Sequence, residues 1–507
     1  MSYLLYNQDG YKLADQGTLP GSDLTITDDI FGYRLFLEDA TSEIMVVWVD
    51  ERAGADGAQH TLRYGTDPND LNLSETVSGT QIPSRPEYIY NAKLTGLTPD
   101  TLYNLRVDTG LEIADLTPHK TFPTTVPSGG LNFILTSDIH VTRPDGATTP
   151  SELNPIGAED ADALFLAGDL AGSFNETFGS SEGAVWIDLL KNFLPVIDLP
   201  IMHVPGNHDV GNHNWDGSTE VTPDSTYYRV FFPNTAEIEP LGKNYGACSF
   251  GDYFTLLGLD THSENPESSR TFVSSTVGAV TSGVILPIHH SPIVRGDRNA
   301  NDHELQDRFR NAWLRTFIES PYVYGSYAGH IHNRNLSVPL VLTETDPQTS
   351  DSFALLDASG NPDGWAVQGV GGYREFGQGY RGNRPNDPFW AIERNAGDLH
   401  YNLLTLTDET FAVEEKGSDG ATLDTTSFTL ETEDTVTRTG TVTRDGDTVA
   451  GADVVFITRA DLLANATAQT TTDASGAYSA EIPSGEDMVG IAFEGDDGDS
   501  TPFTEEA

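Results

Sequence analysis

The chain has 507 residues, and its 27 Lys and Arg stand against 77 Asp and Glu, a net charge of −50. So few cations leave no basic footprint for nucleic-acid phosphates or anionic lipid, and neither is expected as a partner. A hydrophobic share of 37% with 9% aromatic residues is too apolar for a disordered polyelectrolyte, so folded cores are predicted. The acid is spread along the whole length rather than gathered in a tail, which points to a solvated surface adapted to high salt. At roughly 150 residues per domain the length predicts about three domains. The single Cys248 excludes an internal disulfide. No apolar run reaches the ~18 residues of a membrane span, and the opening MSYLLYNQDG does not read as a secretion signal.

Residues 1–125 read as all-β. Short runs such as Ile44 to Val49 and Thr61 to Tyr64 are separated by Gly, Pro, Asn and Asp clusters. A turn at Thr98-Pro99-Asp100 precedes Tyr103 at a strand start, the place where a sandwich-corner tyrosine caps backbone carbonyls. Through Trp48, Arg63-Tyr64-Gly65 and Gly96 to Tyr103, this region resembles a fibronectin type III-like domain, in particular the N-terminal domain of purple acid phosphatases. The first 40 residues match no pattern. A Pro/Thr/Ser/Gly stretch from Thr117 to Gly130 predicts a linker. Beyond it, buried-strand runs at Leu131 to Leu135, Ala163 to Ala167 and Val284 to Leu286 alternate with helical patterns, which predicts α/β layering. One helix is expected over 302–318, with Leu305, Phe309, Trp313, Leu314 and Phe317 on one face. From about 419 the texture returns to Thr/Val/Asp-rich β.

Five strand-like runs end in metal-ligating residue types. They lead into Asp138-Ile139-His140, Gly168-Asp169, Gly206-Asn207-His208-Asp209, His289-His290-Ser291-Pro292 and Gly329-His330-Ile331-His332. The carboxyl ends of sheet strands are where α/β folds place their sites. Asp, Asn and His without thiolate suit Mn, Fe, Zn or Co. In Asp-x-His and His-x-His the two side chains lie two residues apart, so on extended backbone both point to one face. A carboxylate such as Asp169 can bridge two cations, and Gly168 permits close approach.

These five blocks resemble the calcineurin-like metallophosphoesterase superfamily over about residues 130–415. The resemblance implies a four-layer α/β/β/α sandwich holding two divalent or trivalent metal ions. It further implies that Asp138, His140 and His332 hold the first ion, that Asp169 bridges, and that Asn207, His290 and His330 hold the second. His290 is preferred over His289 because His-Ser-Pro is similar to the corresponding block of purple acid phosphatases. His208 would be the catalytic contact to the substrate phosphoryl group, stabilising transition-state charge. Two departures stand out. Purple acid phosphatases carry a Tyr three residues after the bridging Asp, where this chain has Gly172, so a ferric tyrosinate site is not implied. Ser/Thr protein phosphatases have an Asp there that orients the equivalent of His208, and none is present. Asp209, His213 and His262 are further candidates for acid/base or substrate contact, and Val367 to Gly372 resembles a strand and turn near the family's site. At the C-terminal end, Gly440-Thr441-Val442, Gly451 to Phe456 and Thr472 to Tyr478 resemble a carboxypeptidase regulatory-like β-sandwich.

The expected architecture is therefore a β-sandwich over 1–125, a catalytic domain over 126–418 and a second β-sandwich over 430–507. The expected activity is hydrolysis of small phosphate esters, with phosphomonoesterase preferred and phosphodiesterase as the alternative. A non-catalytic binding protein with a dead phosphoesterase domain is the reading from another class, and a filled ligand set argues against it. Flanking sandwiches lead to an expected extracellular or periplasmic, saline setting. An acidic body repels anionic esters until salt screens it, the Debye length falling from about 10 Å at 0.1 M to about 3 Å at 1 M. Hydrolytic rate is accordingly expected to rise with NaCl from about 0.05 to 1 M; a steady decline with the fold intact would contradict salt adaptation.

Overall fold

A computed structural model describes residues 25–27, 29–52, 56–83, 85–140, 153–170, 182–193, 198–209, 226–233, 246–261, 266–280, 283–289, 313, 316–317, 320, 322–330, 334–337, 341–342, 365–366, 374–377, 391–395, 400–408, 410–417, 419–429 and strand segments between 435 and 502. Residues Met1–Thr429 form one compact unit and Leu430–Ala507 another.

The alternating and apolar runs of the first 125 residues form two antiparallel sheets. Ile30–Leu35, Ile44–Asp50 and Tyr88–Leu94 pair in sequence. Glu112–Lys120, Leu102–Asp108, His60–Gly65 and Leu73–Val77 make up most of the other sheet. Leu102–Asp108 alternates strictly between buried and partly exposed positions, as a half-buried strand should. Trp48 and Tyr90 are fully buried and stack at 5.5 Å, with His60 against Tyr90 at 3.9 Å. Tyr103 does sit at the sandwich corner, but its hydroxyl accepts the Thr98 N–H at 2.9 Å. It caps a donor, where a carbonyl was expected.

The linker does not separate this region from the α/β region beyond it. Leu131–Thr136, Ala163–Ala167 and Ile201–Val204 run parallel, and Ile201 then pairs in parallel with Leu35. The strands of 30–50 and 88–94 thereby become the outer part of a ten-stranded sheet, whose far edge is His400–Leu406, Thr410–Gly417 and Thr422–Thr429. The seam is polar, and its buried cation is paired. The buried Arg34 guanidinium donates to the Asp198 carbonyl at 2.8 Å, to its carboxylate at 3.0 Å and to the Pro118 carbonyl. Thr117 donates to the other Asp198 oxygen at 2.7 Å. A buried charge with this many acceptors avoids the several-kcal/mol penalty of an unpaired one.

A second sheet holds Phe254–Gly258, Gly283–Ile288, Val323–Ala328 and Arg374–Gly377 in parallel. Aromatic rings fill the core beside it. Phe133 stacks on Phe165 at 5.2 Å and on Phe254 at 5.3 Å, and Phe250 meets Phe122 edge-on at 4.8 Å. The Tyr327 hydroxyl donates to the Leu135 carbonyl at 3.1 Å, tying the two sheets together directly below the strand ends. The helix Glu182–Phe193 buries Trp186, Leu189, Leu190 and Phe193, the spacing of one helical face. Of the helix expected over 302–318, Trp313 and Phe317 are buried with rings 6.5 Å apart; most of it lies outside the described residues. In the C-terminal unit, Thr435–Thr441 pairs with Ala477–Pro483, and Asp453–Thr458 pairs with Ala468–Thr471 and Met488–Phe493. Among the described residues no helix is long and apolar enough to cross a membrane.

His119 is a buried titratable group at the seam. Burial, aided by the Arg34 charge, lowers its pKa from 6.5 to about 3. The folded chain therefore keeps the ring neutral, while the unfolded chain takes up a proton below about pH 6.5, so stability is lost as pH falls from there towards 3. The slope from this one group is about 1.4 kcal/mol per pH unit. Urea unfolding at pH 6.5, 5.5 and 4.5 should show that fall, and His119→Phe should flatten it by about that amount. Equal pH dependence in both chains would contradict the assignment.

Candidate metal centre

Each predicted block lies just past the end of its strand. Asp138 and His140 follow Leu131–Thr136, Asp169 follows Ala163–Ala167, Asn207 and His208 follow Ile201–Val204, His289 follows Gly283–Ile288, and His330 follows Val323–Ala328. Asp138, His140, Asp169, His289 and His330 are all at most 5% exposed. Among the described residues, five non-glycines have positive φ, and four of them are Asp138, His140, Asp169 and His330. The left-handed region costs an L residue about 1–2 kcal/mol. Such strain persists where the surroundings hold it and clusters at functional sites.

Backbone hydrogen bonds hold these strained turns. Asp138 N–H donates to the Gly168 carbonyl at 3.0 Å and His140 N–H to the Asp169 carbonyl at 3.1 Å. His330 N–H donates to both Asp138 oxygens, at 3.0 and 2.9 Å, and the Ser137 hydroxyl to one of them at 2.7 Å. Gly168 has φ +84°, and a Cβ there would lie 2.5 Å from His289 Nδ1. Only glycine allows that turn and that approach together.

Asp169 is the centre of the cluster. Its Oδ1 accepts the His208 N–H at 2.8 Å. Its Oδ2 faces three imidazoles: His289 Nε2 at 3.3 Å, His140 Nε2 at 3.8 Å and His208 Nε2 at 3.9 Å. Asn207 Oδ1 lies 3.0 Å from both His289 Nε2 and His330 Nδ1, and His289 Nδ1 lies 2.9 Å from the Ala167 carbonyl. Two groups of potential ligand atoms result, His140 with Asp169 and His208, and Asp169 with His289 and His330; within each, the atoms lie within 4.8 Å of one another. Both contain Asp169.

Burial alone would raise the Asp169 pKa, but the imidazoles of His289, His208 and His140 hold it well below the usual carboxylate range. Burial would likewise lower His289, yet Asp169 beside it lifts that ring to about 9. The site thus demands positive charge. A proton on imidazole supplies it in the chain alone, and a cation can supply it in the proton's place. Donor chemistry, burial and the shared carboxylate all fit metal ions.

Of the sequence-predicted residues, the structure brings together Asp138, His140, Asp169, Asn207, His208 and His330. From the double-histidine block it brings His289, whereas the preference was for His290. His290 and His332 lie outside the described residues, as do His213, His262, Gly172 and 367–372. His208, expected against substrate, is also within ligand reach of His140 and Asp169, their rings edge-on at 4.8 Å between His140 and His208. Asp209, a minor candidate from sequence, is buried and binds backbone of the cluster.

Residues 131–334 match the family model of calcineurin-like phosphoesterases, and residues 31–124 that of the purple acid phosphatase N-terminal domain. The chain carries a metallophosphoesterase domain and is a metal-dependent phosphoester hydrolase. No curated protein sequence matches it. Among solved structures it is similar to one titled "Structure of PhoD", at 12% identity and TM-score 0.56, over 79% of this chain and 90% of that one; this likeness concerns the fold. Two others align with TM-scores too low to carry an argument. They are a predicted phosphoesterase from Streptococcus pneumoniae TIGR4 (12% identity, 59% and 97% covered, 0.21) and a Vps29 mutant from Entamoeba histolytica (10% identity, 59% and 99% covered, 0.24).

The Gly168 geometry makes a direct prediction. Gly168→Ala should push the His289 ring out of the cluster and lower Mn²⁺ affinity about 10–100-fold, the usual cost of disturbing a ligand's support. Isothermal titration of the metal-free protein measures this; unchanged affinity would contradict the packing described.

Proposed function

We propose that this chain is a dinuclear phosphomonoesterase. The observation that carries the dinuclear reading is the pair of potential ligand groups that share one carboxylate, Asp169. Asp169 would be shared between the two positions; Asp138, His140 and, from the sequence pattern, His332 would hold one ion, and Asn207, His289 and His330 would hold the other. His289 is proposed for the place that the sequence pattern gave to His290, because its ring packs against Asp169 and Asn207. Two divalent or trivalent ions, from Mn, Fe, Zn or Co, would polarise the phosphoryl oxygens and lower the pKa of a water nucleophile.

The residues themselves prepare the reaction. The imidazoles around Asp169 keep it ionised, and Asp138 accepts the His330 N–H and the Ser137 hydroxyl, so the strand-end turns that carry the ligand histidines are held to one another. The His289 ring nitrogen beside the Ala167 carbonyl directs its other nitrogen at Asp169 and Asn207. His208 has the most exposed ring of the described cluster, its side chain 12% accessible. From there it can donate to a phosphoryl oxygen as negative charge builds.

Preference for monoesters rests on the purple acid phosphatase N-terminal match over residues 31–124. The finer architecture belongs to the same reading: a four-layer catalytic sandwich, a carboxypeptidase regulatory-like C-terminal domain, and an exported protein in saline surroundings with no nucleic-acid partner. The test is turnover of p-nitrophenyl phosphate against bis(p-nitrophenyl) phosphate with Mn, Zn or Fe added. The monoester should be the faster substrate, and Asp169→Ala should cost at least about 10²-fold in kcat/KM. Faster diester cleavage would make the chain a phosphodiesterase. Full activity in Asp169→Ala would overturn the site.

A further inference from the structure

We propose that Asp209 is the positioning residue that sets the spacing of the two metal positions. The inference rests on the dinuclear reading above. Asp209 is 1% exposed, and a single carboxylate oxygen, Oδ2, accepts the Asp169 N–H at 2.8 Å and the Gly206 N–H at 2.9 Å. One oxygen thus grips the backbone of two different strand-end turns. Asp169 returns the contact, its Oδ1 accepting the His208 N–H at 2.8 Å. Two carboxylates, each held by the other's turn, brace the Asp169 turn against the turn carrying Asn207 and His208.

Two crossed bonds do what one could not. A single hydrogen bond leaves the turns free to hinge about it, whereas bonds running in opposite directions fix both separation and rotation. The brace also decides which oxygen of Asp169 faces the imidazoles, since Oδ1 is engaged and Oδ2 is left to them. Asp169 has φ +53° and follows Gly168 at φ +84°, so its N–H leaves the ordinary strand direction and needs an acceptor supplied from elsewhere. The two turns pack without slack, because a Cβ on Gly206 would overlap Asp169.

Asp209 is itself backed by a rigid wall. His203 Nε2 lies 3.4 Å from Asp209 Oδ2, the Tyr228 hydroxyl donates to the His203 carbonyl at 3.0 Å, and the Phe232 ring lies 4.5 Å from the His203 ring. Asp209 reaches the reacting centre only through the turns it holds, and so acts by position.

The experiment is electron paramagnetic resonance of the Mn²⁺-loaded full chain. Two Mn²⁺ ions sharing a carboxylate give an exchange-coupled spectrum, and separated ions give isolated six-line spectra. Wild type should show the coupled spectrum. Asp209→Asn, whose amide oxygen can accept the same two N–H groups, should retain it with kcat within about threefold. Asp209→Ala should show isolated Mn²⁺ and lose at least tenfold in kcat, with circular dichroism unchanged. Should the alanine chain fail to fold, Asp209→Ser is read in the same way. A coupled spectrum in Asp209→Ala or Asp209→Ser, or its loss in Asp209→Asn, would overturn the proposal. Absence of coupling in wild type would instead overturn the dinuclear reading.

Discussion

Everything at the site stems from burying carboxylates side by side. Asp138, Asp169 and Asp209 are each at most 1% exposed, and each ionised group costs several kcal/mol to remove from water unless opposite charge or hydrogen bonds compensate. Asp209 is compensated by the Asp169 and Gly206 N–H groups. Asp138 is compensated by His330 N–H and the Ser137 hydroxyl. Asp169 Oδ2 is left facing His140, His208 and His289, and this is why the cluster demands cations.

The rest of the Met1–Thr429 unit holds that arrangement still. Parallel strands bring successive blocks to one edge, and glycine at 168 lets the turns close. The strained φ values at Asp138, His140, Asp169 and His330 are supported by bonds running between strand ends. The N-terminal region contributes to the same support. Its strands continue the catalytic sheet past Ile201–Val204, the strand that delivers Asn207 and His208, and Arg34 locks the seam through Asp198. A region that resembles a separable sandwich is joined to the catalytic sheet by backbone pairing.

Much of the centre was legible because spacing and strand ends are local properties. Asp138, His140, Asp169, Asn207 and His330 all come after apolar runs that could be read as strands. That His289 faces Asp169 was not legible. Gly283–Ile288 is buried on both faces, so it lacks the period-two alternation that would fix which neighbour points inward. Ile30–Leu35 matched no pattern, yet it is the strand that joins the two halves of the ten-stranded sheet; its significance lies in its partner Ile201, far along the chain. Asp209 could be named as a candidate but not understood, since its contacts are backbone amides from two turns 37 residues apart in sequence, at 169 and 206. Tertiary placement decides such roles, and composition does not record it.

The central claim is that one carboxylate oxygen is shared by two ions. A crystal structure of the Mn²⁺-loaded chain, with anomalous scattering collected above and below the Mn edge, tests it most directly. The account predicts two peaks about 3.5–4 Å apart, both within coordination distance of Asp169 Oδ2, with His289 on one of them. A single peak at Asp169, or two peaks that do not share it, would contradict the account.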